Sequence, residues 1–237
     1  MTGVAGHPKT TDFVGDTVAA IARLIRDKDL KPGDRLPAEA TLSRDLQVSR
    51  TVVREALRSL AALRLVDLGA GRRPSVAELD DDPFSRMIEH GVVTDQIDIQ
   101  QIYDARRTIE ARTAALAALR HTQAEGRTIL AHAHAMQEAF ARPDSVMEHD
   151  IAFHLAIAHA ARNPVFVLII GAFQGVMRQT WPIGWRSRPS DKERHAMNTL
   201  HIELAEAIIA SDPGRASNLM GRHFDESLKA LLAAGII

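Results

Sequence analysis

Residues 38–63 of the chain read AEATLSRDLQVSRTVVREALRSLAAL, and this stretch decides the fold of the N-terminal part of the molecule. Its apolar residues recur at helical spacing in two groups, over 38–46 and over 49–63. Only residues 47–48 separate the groups, and the hydroxyl of Ser49 can cap the second helix. The stretch therefore predicts two helices joined by a tight turn.

The flanking sequence extends this pair of helices into a larger motif. A helical pattern over 12–30 precedes the pair and is ended by a Pro-Gly dipeptide. Two short segments over 65–68 and 73–76 follow the pair and are predicted to be strands joined by a turn. This order of elements predicts a winged helix-turn-helix domain over residues 12–78, preceded by a disordered tail over residues 1–11.

The rest of the chain is predicted to be helical. Residues 79–97 contain several acids and a proline, and we expect a linker with a short helix there. From residue 98 to residue 237 the apolar residues keep helical spacing, and alternation of β-branched residues is missing. Candidate helices span residues 98–120, 122–141, 145–161, 164–180, 190–210 and 213–234. The fold class is therefore mainly α, with a C-terminal all-α antiparallel helical bundle.

Composition excludes several classes of protein. The 237 residues are 46% hydrophobic and 25% charged, which is typical of a globular protein. Cysteine is absent, which excludes disulfides, thiolate metal sites and cysteine nucleophiles. No apolar run reaches the length of a membrane span and the N-terminus lacks the apolar part of a signal peptide, so we expect a cytoplasmic protein with no membrane partner. Because the net charge is only −1, any nucleic-acid site must be a local patch.

A local excess of positive charge coincides with the predicted turn, second helix and strands. Residues 44–73 contain seven arginines and only three acidic residues. The first residues of a recognition helix reach base edges, and here they include Arg50 and Arg54, which share one helix face. Arginine pairs bidentately with guanine, and Arg72 in the predicted turn can reach a phosphate or the minor groove. An amphipathic helix with solvent-facing arginines is the alternative, but the order of elements favours double-stranded DNA as a partner.

This segment resembles the DNA-binding domain of GntR-family transcription regulators. The resemblance covers about residues 12–78 and rests on PGDRLPAE at 32–39 and VSRTVVREAL at 48–57. It implies a homodimer that binds a pseudo-palindromic operator. The residues expected to contact DNA are Arg35, Arg44, Ser49, Arg50, Thr51, Arg54, Gly71 and Arg72. The position after Glu39, often an arginine that contacts DNA in relatives, is Ala40 here, so this contact is not among those expected.

Histidine is concentrated in the second half of the chain. Asp150 and His154 lie four residues apart, so they share a helix face beside an apolar stripe. His201 and His223 lie on the inward faces of two other predicted helices. Buried imidazoles and carboxylates need partners, and one aspartate with three histidines suits Zn²⁺, Ni²⁺ or another divalent transition metal. A lone inward histidine is more often a core residue with a satisfied hydrogen bond, so the prediction depends on the whole set.

The helical half resembles the FCD effector domain of the FadR subfamily. The resemblance covers about residues 84–232 and rests on DIAFH at 150–154, HIELAEAI at 201–208 and a pattern of Ala, Met and His within 216–223. It implies that residues 98–237 bind an effector and form the dimer. Fatty-acyl-binding members lack the metal-ligand set, so an acyl effector is not expected. The residues that match the ligands of metal-binding members, with zinc as the first expectation, are Asp150, His154, His201 and His223.

Arg106 is the residue expected to bind the effector. It lies four residues after Ile102 and three before Ile109, at the border of the inward face of its helix. A guanidinium beside a metal can clamp a carboxylate, which indicates a small organic acid as the effector. An ion pair with Glu110 inside the bundle is an equally good interpretation.

Together these features predict a ligand-responsive DNA-binding transcription regulator that is not an enzyme, and a repressor because repression is the commoner mode of the family. In a dimer, two recognition helices read two half-sites, and binding of a small acid changes their arrangement. A metalloenzyme fused to a DNA-binding module and a DNA-binding dimer with a purely structural metal are the alternatives. A catalytic metal site usually keeps an open position and a separate general base, and no such base is evident in the sequence.

Overall fold

A computed structural model describes residues 12–235, and the predicted disordered tail over residues 1–11 lies outside them. Contacts within the chain divide it after Pro83 into two compact units. We call these the N-terminal unit and the helical unit. The predicted domain limits at residues 78 and 97 stay predictions, since a helix, α4 (Asp82–Val93), begins just before the division and continues beyond it.

The N-terminal unit has the element order of a winged helix-turn-helix. Its elements are α1 (Phe13–Asp27), α2 (Glu39–Asp45), α3 (Arg50–Ala62), β1 (Val66–Asp67) and β2 (Ser75–Val76). The two strands are antiparallel, with Val66 opposite Val76, and Arg35 forms a further bridge to Ser75. The Ser49 side chain accepts a hydrogen bond of 3.3 Å from the backbone N–H of Val52, which caps α3 as the sequence predicts.

A small apolar core holds these elements together. Side chains from all three helices and the first strand meet in it, and each is at most 2% exposed. They are Ile21, Leu36, Leu42, Val53, Leu57, Leu60 and Val66. Because the core takes the inward face of α3, the opposite face with its arginines is left to solvent.

The helical unit is an all-α bundle, and the predicted fold class is confirmed. After α4, its helices are α5 (Ile99–Arg120), α6 (Gln123–Glu138), α7 (Pro143–Ala160), α8 (Pro164–Ala172), α9 (Gln174–Ser187), α10 (Asp191–Ile209) and α11 (Pro213–Ala233). Helix α5 packs against α11 and α7, and α6 packs against α7 and α10. The interior is apolar, with Phe153, Phe224 and Met136 among its fully buried side chains. Among residues 12–235, no helix is both long enough and apolar enough to cross a membrane.

The predicted single helix over residues 164–180 is wrong. The structure has two helices there, because α8 ends at Ala172 and Phe173 separates it from α9. Helix α9 then continues past Pro182 as far as Ser187, although a proline removes one backbone donor from the helix. This extension brings Arg188, the next residue, to the end of a helix that packs on α11.

The core of the N-terminal unit can be tested by truncating Leu57, which is 1% exposed. Leu57→Ala removes buried methyl groups and leaves a cavity, so it is expected to lower the free energy of unfolding by about 2–5 kcal/mol. Urea denaturation followed by far-UV circular dichroism measures this change. The matched control is Leu63→Ala at the C-cap of α3, where the side chain is 54% exposed and the expected change is within about 0.5 kcal/mol. Equal losses in the two variants would contradict this description of the core.

Candidate metal centre and nucleic-acid face

The N-terminus of α3 presents the residues predicted to contact DNA. Arg50 and Thr51 occupy the first turn of the helix, Arg54 follows one turn later, and all three are exposed. Arg54 is ion-paired across the turn, with its Nη2 3.0 Å from Glu39 Oε2. An unpaired arginine side chain samples many rotamers, so the ion pair with Glu39 restricts the orientation of Arg54 on the exposed face of α3.

The other predicted DNA contacts are exposed as well. They are Arg35, Arg44, Ser49, Gly71 and Arg72. Gly71 has a φ of 68°, which permits the tight turn between the strands. A surface groove between α3 and this turn is lined by Arg54, Arg72 and also by Arg58, which the sequence interpretation left out. The N-terminal unit therefore carries a local basic surface, as the near-neutral net charge requires of a DNA-binding chain.

Three helices of the helical unit bring together the four predicted metal ligands. Helix α7 supplies Asp150 and His154, α10 supplies His201, and α11 supplies His223. One potential ligand atom from each residue lies within 4.8 Å of the others. All four side chains are largely buried, and no other such group of three or more is found among residues 12–235.

Hydrogen bonds outside the cluster set the orientation of two of the imidazoles. His201 Nδ1 lies 2.9 Å from the carbonyl oxygen of Met197, which can only accept, so Nδ1 carries the proton. His154 Nδ1 contacts Glu110 Oε2 in the same way. In the neutral form of each ring, Nε2 then has a free lone pair that faces the cluster. A metal-ligating histidine commonly has this arrangement, with a carboxylate or carbonyl behind it.

The cluster leaves three buried nitrogen atoms without a hydrogen-bond partner. They are His154 Nε2, His201 Nε2 and His223 Nδ1. His201 Nε2 also lies 2.9 Å from Asp150 Oδ1, but with the proton on Nδ1 it has none to donate to the carboxylate. Buried polar atoms are rarely unsatisfied, because each costs about 1–3 kcal/mol. Three unsatisfied imidazole nitrogens and a carboxylate that converge in this way fit a bound divalent metal.

Charge in the cluster also suits a metal. Burial acts to raise the pKa of Asp150, but the contact with His201 and the neighbouring His154 and His223 outweigh it and hold the pKa well below its ordinary value. Burial, with further contributions from His201 and His154, lowers the pKa of His223 well below its ordinary value. Asp150 is therefore an anion and His223 is neutral near pH 7, which are the forms that bind a metal.

Arg106 supports the cluster through Glu110. Arg106 Nε donates a hydrogen bond of 2.7 Å to Glu110 Oε1. The two residues are only 5% and 1% exposed. Burial alone would raise the pKa of Glu110, but Arg106 and His154 outweigh burial and lower it. Arg106 thus forms the ion pair with Glu110 that the sequence offered as the alternative to an effector contact. Its predicted role as an effector contact stays a prediction, and Arg106 does line the cavity beside the cluster.

A cavity opens next to the cluster. Its volume is about 40 Å³. Asp150, His201 and His223 are among its lining residues. Aromatic and basic side chains complete its lining, among them Tyr103, Trp181, Trp185, Arg106 and Arg188. A small ligand in this cavity would lie beside the metal ligands.

Comparison with known protein families identifies both units. Residues 14–76 match the family described as bacterial regulatory proteins, gntR family, and residues 101–226 match the FCD domain. The chain belongs to the GntR family of regulators. The protein is therefore a DNA-binding transcription regulator and not an enzyme, and its FCD domain is of a type that binds an effector and is associated with metal binding.

Individual proteins show the same relationship. The Glc operon transcriptional activator of Escherichia coli (strain K12) is 33% identical over 212 residues, which cover 86% of this chain and 83% of the relative. Another protein of that strain, named for regulation of the L-lactate dehydrogenase operon, is 33% identical over 227 residues, covering 91% and 83%. The structure of Streptococcus agalactiae GntR has the same fold, with a TM-score of 0.62, 20% identity and coverage of 90% and 97%.

The DNA-facing role of Arg54 can be tested by Arg54→Ala. Loss of a bidentate base contact is expected to weaken operator binding roughly ten- to hundredfold and to relax the preference at one base pair. Fluorescence anisotropy with an operator selected from random duplexes, and with a scrambled duplex, measures both effects. Arg23→Ala, at an exposed position on α1, is the control for the loss of one positive charge. An equal loss on operator and scrambled DNA would make Arg54 a phosphate contact only.

The role of Glu110 behind His154 can be tested by Glu110→Gln. The amide keeps the shape but loses the charge that orients His154, so metal affinity is expected to fall roughly ten- to hundredfold. Competition with a chromogenic chelator measures the affinity. Glu206→Gln, an exposed position on the helix that carries His201, is the matched control and is expected to leave it unchanged. Unaltered affinity in Glu110→Gln would show that the carboxylate does not support the site.

Proposed function

We propose that this regulator is a homodimeric repressor that senses a small organic acid through a metal held by Asp150, His154, His201 and His223. The observation that carries the proposal is the set of three unsatisfied buried imidazole nitrogens beside a cavity. The N-terminal unit supplies the DNA-binding surface, and the helical unit supplies the sensing site.

The donor set favours zinc, with nickel as the second choice. Three imidazole nitrogens and one carboxylate oxygen are ligands that both metals accept, and no sulfur donor is available because the chain has no cysteine. A divalent metal held by these residues supplies a Lewis acid for an oxygen ligand. The chain contributes the rest: Glu110 orients His154, Met197 orients His201, and the apolar walls keep the cavity small.

The size and charge of the cavity support a small acid. A cavity of about 40 Å³ favours a small acid over a long acyl chain. Two arginines, Arg106 and Arg188, line the cavity, so a negatively charged ligand is favoured. One relative is named for regulation of an L-lactate dehydrogenase operon, and lactate is an acid of this size. We therefore assign glycolate-sized or lactate-sized hydroxy acids as the effector class.

Repression and dimerisation complete the proposal. A pseudo-palindromic operator presents two half-sites, and a twofold dimer places one recognition helix on each. The acid then changes the relative placement of the two DNA-binding units, and operator affinity falls by the coupling between the two sites. One relative is named an activator, so a reporter gene with and without the acid decides the sign of regulation.

Calorimetry tests the sensing site directly. Glycolate and L-lactate are titrated into the full-length protein, once loaded with zinc and once stripped by a chelator. We expect at least one acid to bind the loaded protein and neither to bind the stripped protein. Binding of equal strength in both states would leave the metal a purely structural role, and no binding in either state would overturn the proposed effector class.

The ligand assignment is tested by His201→Ala. Removing one imidazole is expected to lower the zinc content measured by elemental analysis and to abolish binding of the acid, while the far-UV spectrum is retained. His159→Ala is the matched control, because His159 lies on α7 with an exposed side chain outside the cluster. Unchanged zinc content in His201→Ala would refute the assignment.

A further inference from the structure

Arg188 has an unusual position at the edge of the cavity. It is the first residue after α9, in the short connection to α10, and it lines the cavity together with Asp150, His201 and His223. The sequence interpretation assigned it no role, because it ended the preceding helix at residue 180. With α9 extended to Ser187, Arg188 follows directly at the helix end and lines the cavity beside the metal cluster.

The backbone that carries Arg188 is held in place by its neighbours. Arg194 donates hydrogen bonds to the carbonyl oxygens of Trp185, at 3.0 Å, and of Arg188, at 2.9 Å. The Ser187 hydroxyl donates a bond of 2.7 Å to the carbonyl oxygen of Ala230 on α11. The connection is therefore tied to both α10 and α11, and a side chain that starts from it has a defined origin.

The guanidinium of Arg188 lacks a carboxylate partner. Its Nη1 donates a hydrogen bond of 2.9 Å to the carbonyl oxygen of Gly184. Within residues 12–235, no acidic side chain forms an ion pair with it. Burial is the main cause that lowers the pKa of Arg188, and the attraction of Asp150 and Glu226 only partly opposes it. A partly buried cation without a paired anion has lost hydration energy that a bound anion would restore.

Arg106 differs from Arg188 in this respect. The Nε of Arg106 already donates a hydrogen bond to Glu110, and the guanidinium carbon of Arg106 lies 4.9 Å from the centre of the Phe224 ring. Arg106 is thus committed to the support of His154, whereas Arg188 keeps donor groups free. Of the two arginines that line the cavity, Arg188 is the one whose charge is not yet neutralised.

We propose that Arg188 is the residue that recognises the charge of the effector, by binding its carboxylate in the cavity beside the metal cluster. This assignment rests on the proposed function, since it concerns the same cavity. A planar guanidinium offers two parallel donors that match the two oxygens of a carboxylate. The site then distinguishes a carboxylate from the neutral amide of the same shape.

The test uses pairs of acids and amides as probes. Glycolate with glycolamide, and L-lactate with L-lactamide, are titrated by calorimetry into zinc-loaded full-length protein. The variants are Arg188→Gln, which removes the charge, and Arg188→Lys, which keeps the charge but loses the two parallel donors of the guanidinium. Arg186→Gln is the matched control, because Arg186 lies two residues earlier at an exposed position of α9. Zinc content is measured for every variant.

We expect wild type and Arg186→Gln to prefer an acid to its amide. In Arg188→Gln the acid is expected to bind roughly ten- to hundredfold more weakly, with the amide little changed and the zinc content retained. Arg188→Lys is expected to fall between wild type and Arg188→Gln.

Two results would overturn the assignment and leave the proposed function intact: undiminished preference for the acid in Arg188→Gln, or an equal loss for acid and amide. Loss of zinc in Arg188→Gln would also overturn it, because Arg188 would then support the metal ligands instead of the acid. Failure of every acid to bind wild type would overturn the proposed effector class and this assignment together.

Discussion

The buried ion pair between Arg106 and Glu110 is the contact on which the rest of the candidate metal centre depends. A carboxylate taken out of water costs several kcal/mol unless it is paired, and both oxygens of Glu110 are used. One receives Arg106 and the other receives His154, so the guanidinium acts through Glu110 on the direction of the His154 lone pair. The contact between Glu110 on α5 and His154 on α7 also joins these two helices.

The position of the four ligands on three helices links the state of the metal to the packing of the bundle. Helices α7, α10 and α11 each bring at least one imidazole to the cluster, and one nitrogen of each imidazole has no hydrogen-bond partner. A ligand that binds only the folded arrangement adds its binding free energy to stability. A metal held by the proposed ligands would therefore fix the spacing of these three helices, and a change in its coordination would act on all three.

Local signals in the sequence predict much of this structure. Helical spacing predicts α3 and its cap at Ser49, and the same spacing places Asp150 beside His154. Other features depend on contacts between distant segments, which spacing cannot reveal. Glu110 meets His154 across 44 residues, so its role behind the imidazole is visible only in the folded bundle. The break at Phe173 and the continuation of α9 follow from tertiary packing, which overrides the usual preference of proline for helix ends.

The donor set of oxygen and nitrogen atoms decides what kind of signal the centre can receive. Thiolate ligands oxidise to sulfenic acids and disulfides, and a site built from them responds to peroxide as well as to its own ligand. Imidazole and carboxylate groups do not undergo these reactions, and the chain contains no cysteine elsewhere that could form a disulfide. Thiol oxidation therefore cannot alter the donor atoms of this cluster, and a metal held there would keep the same ligand atoms when thiol-based sites are oxidised.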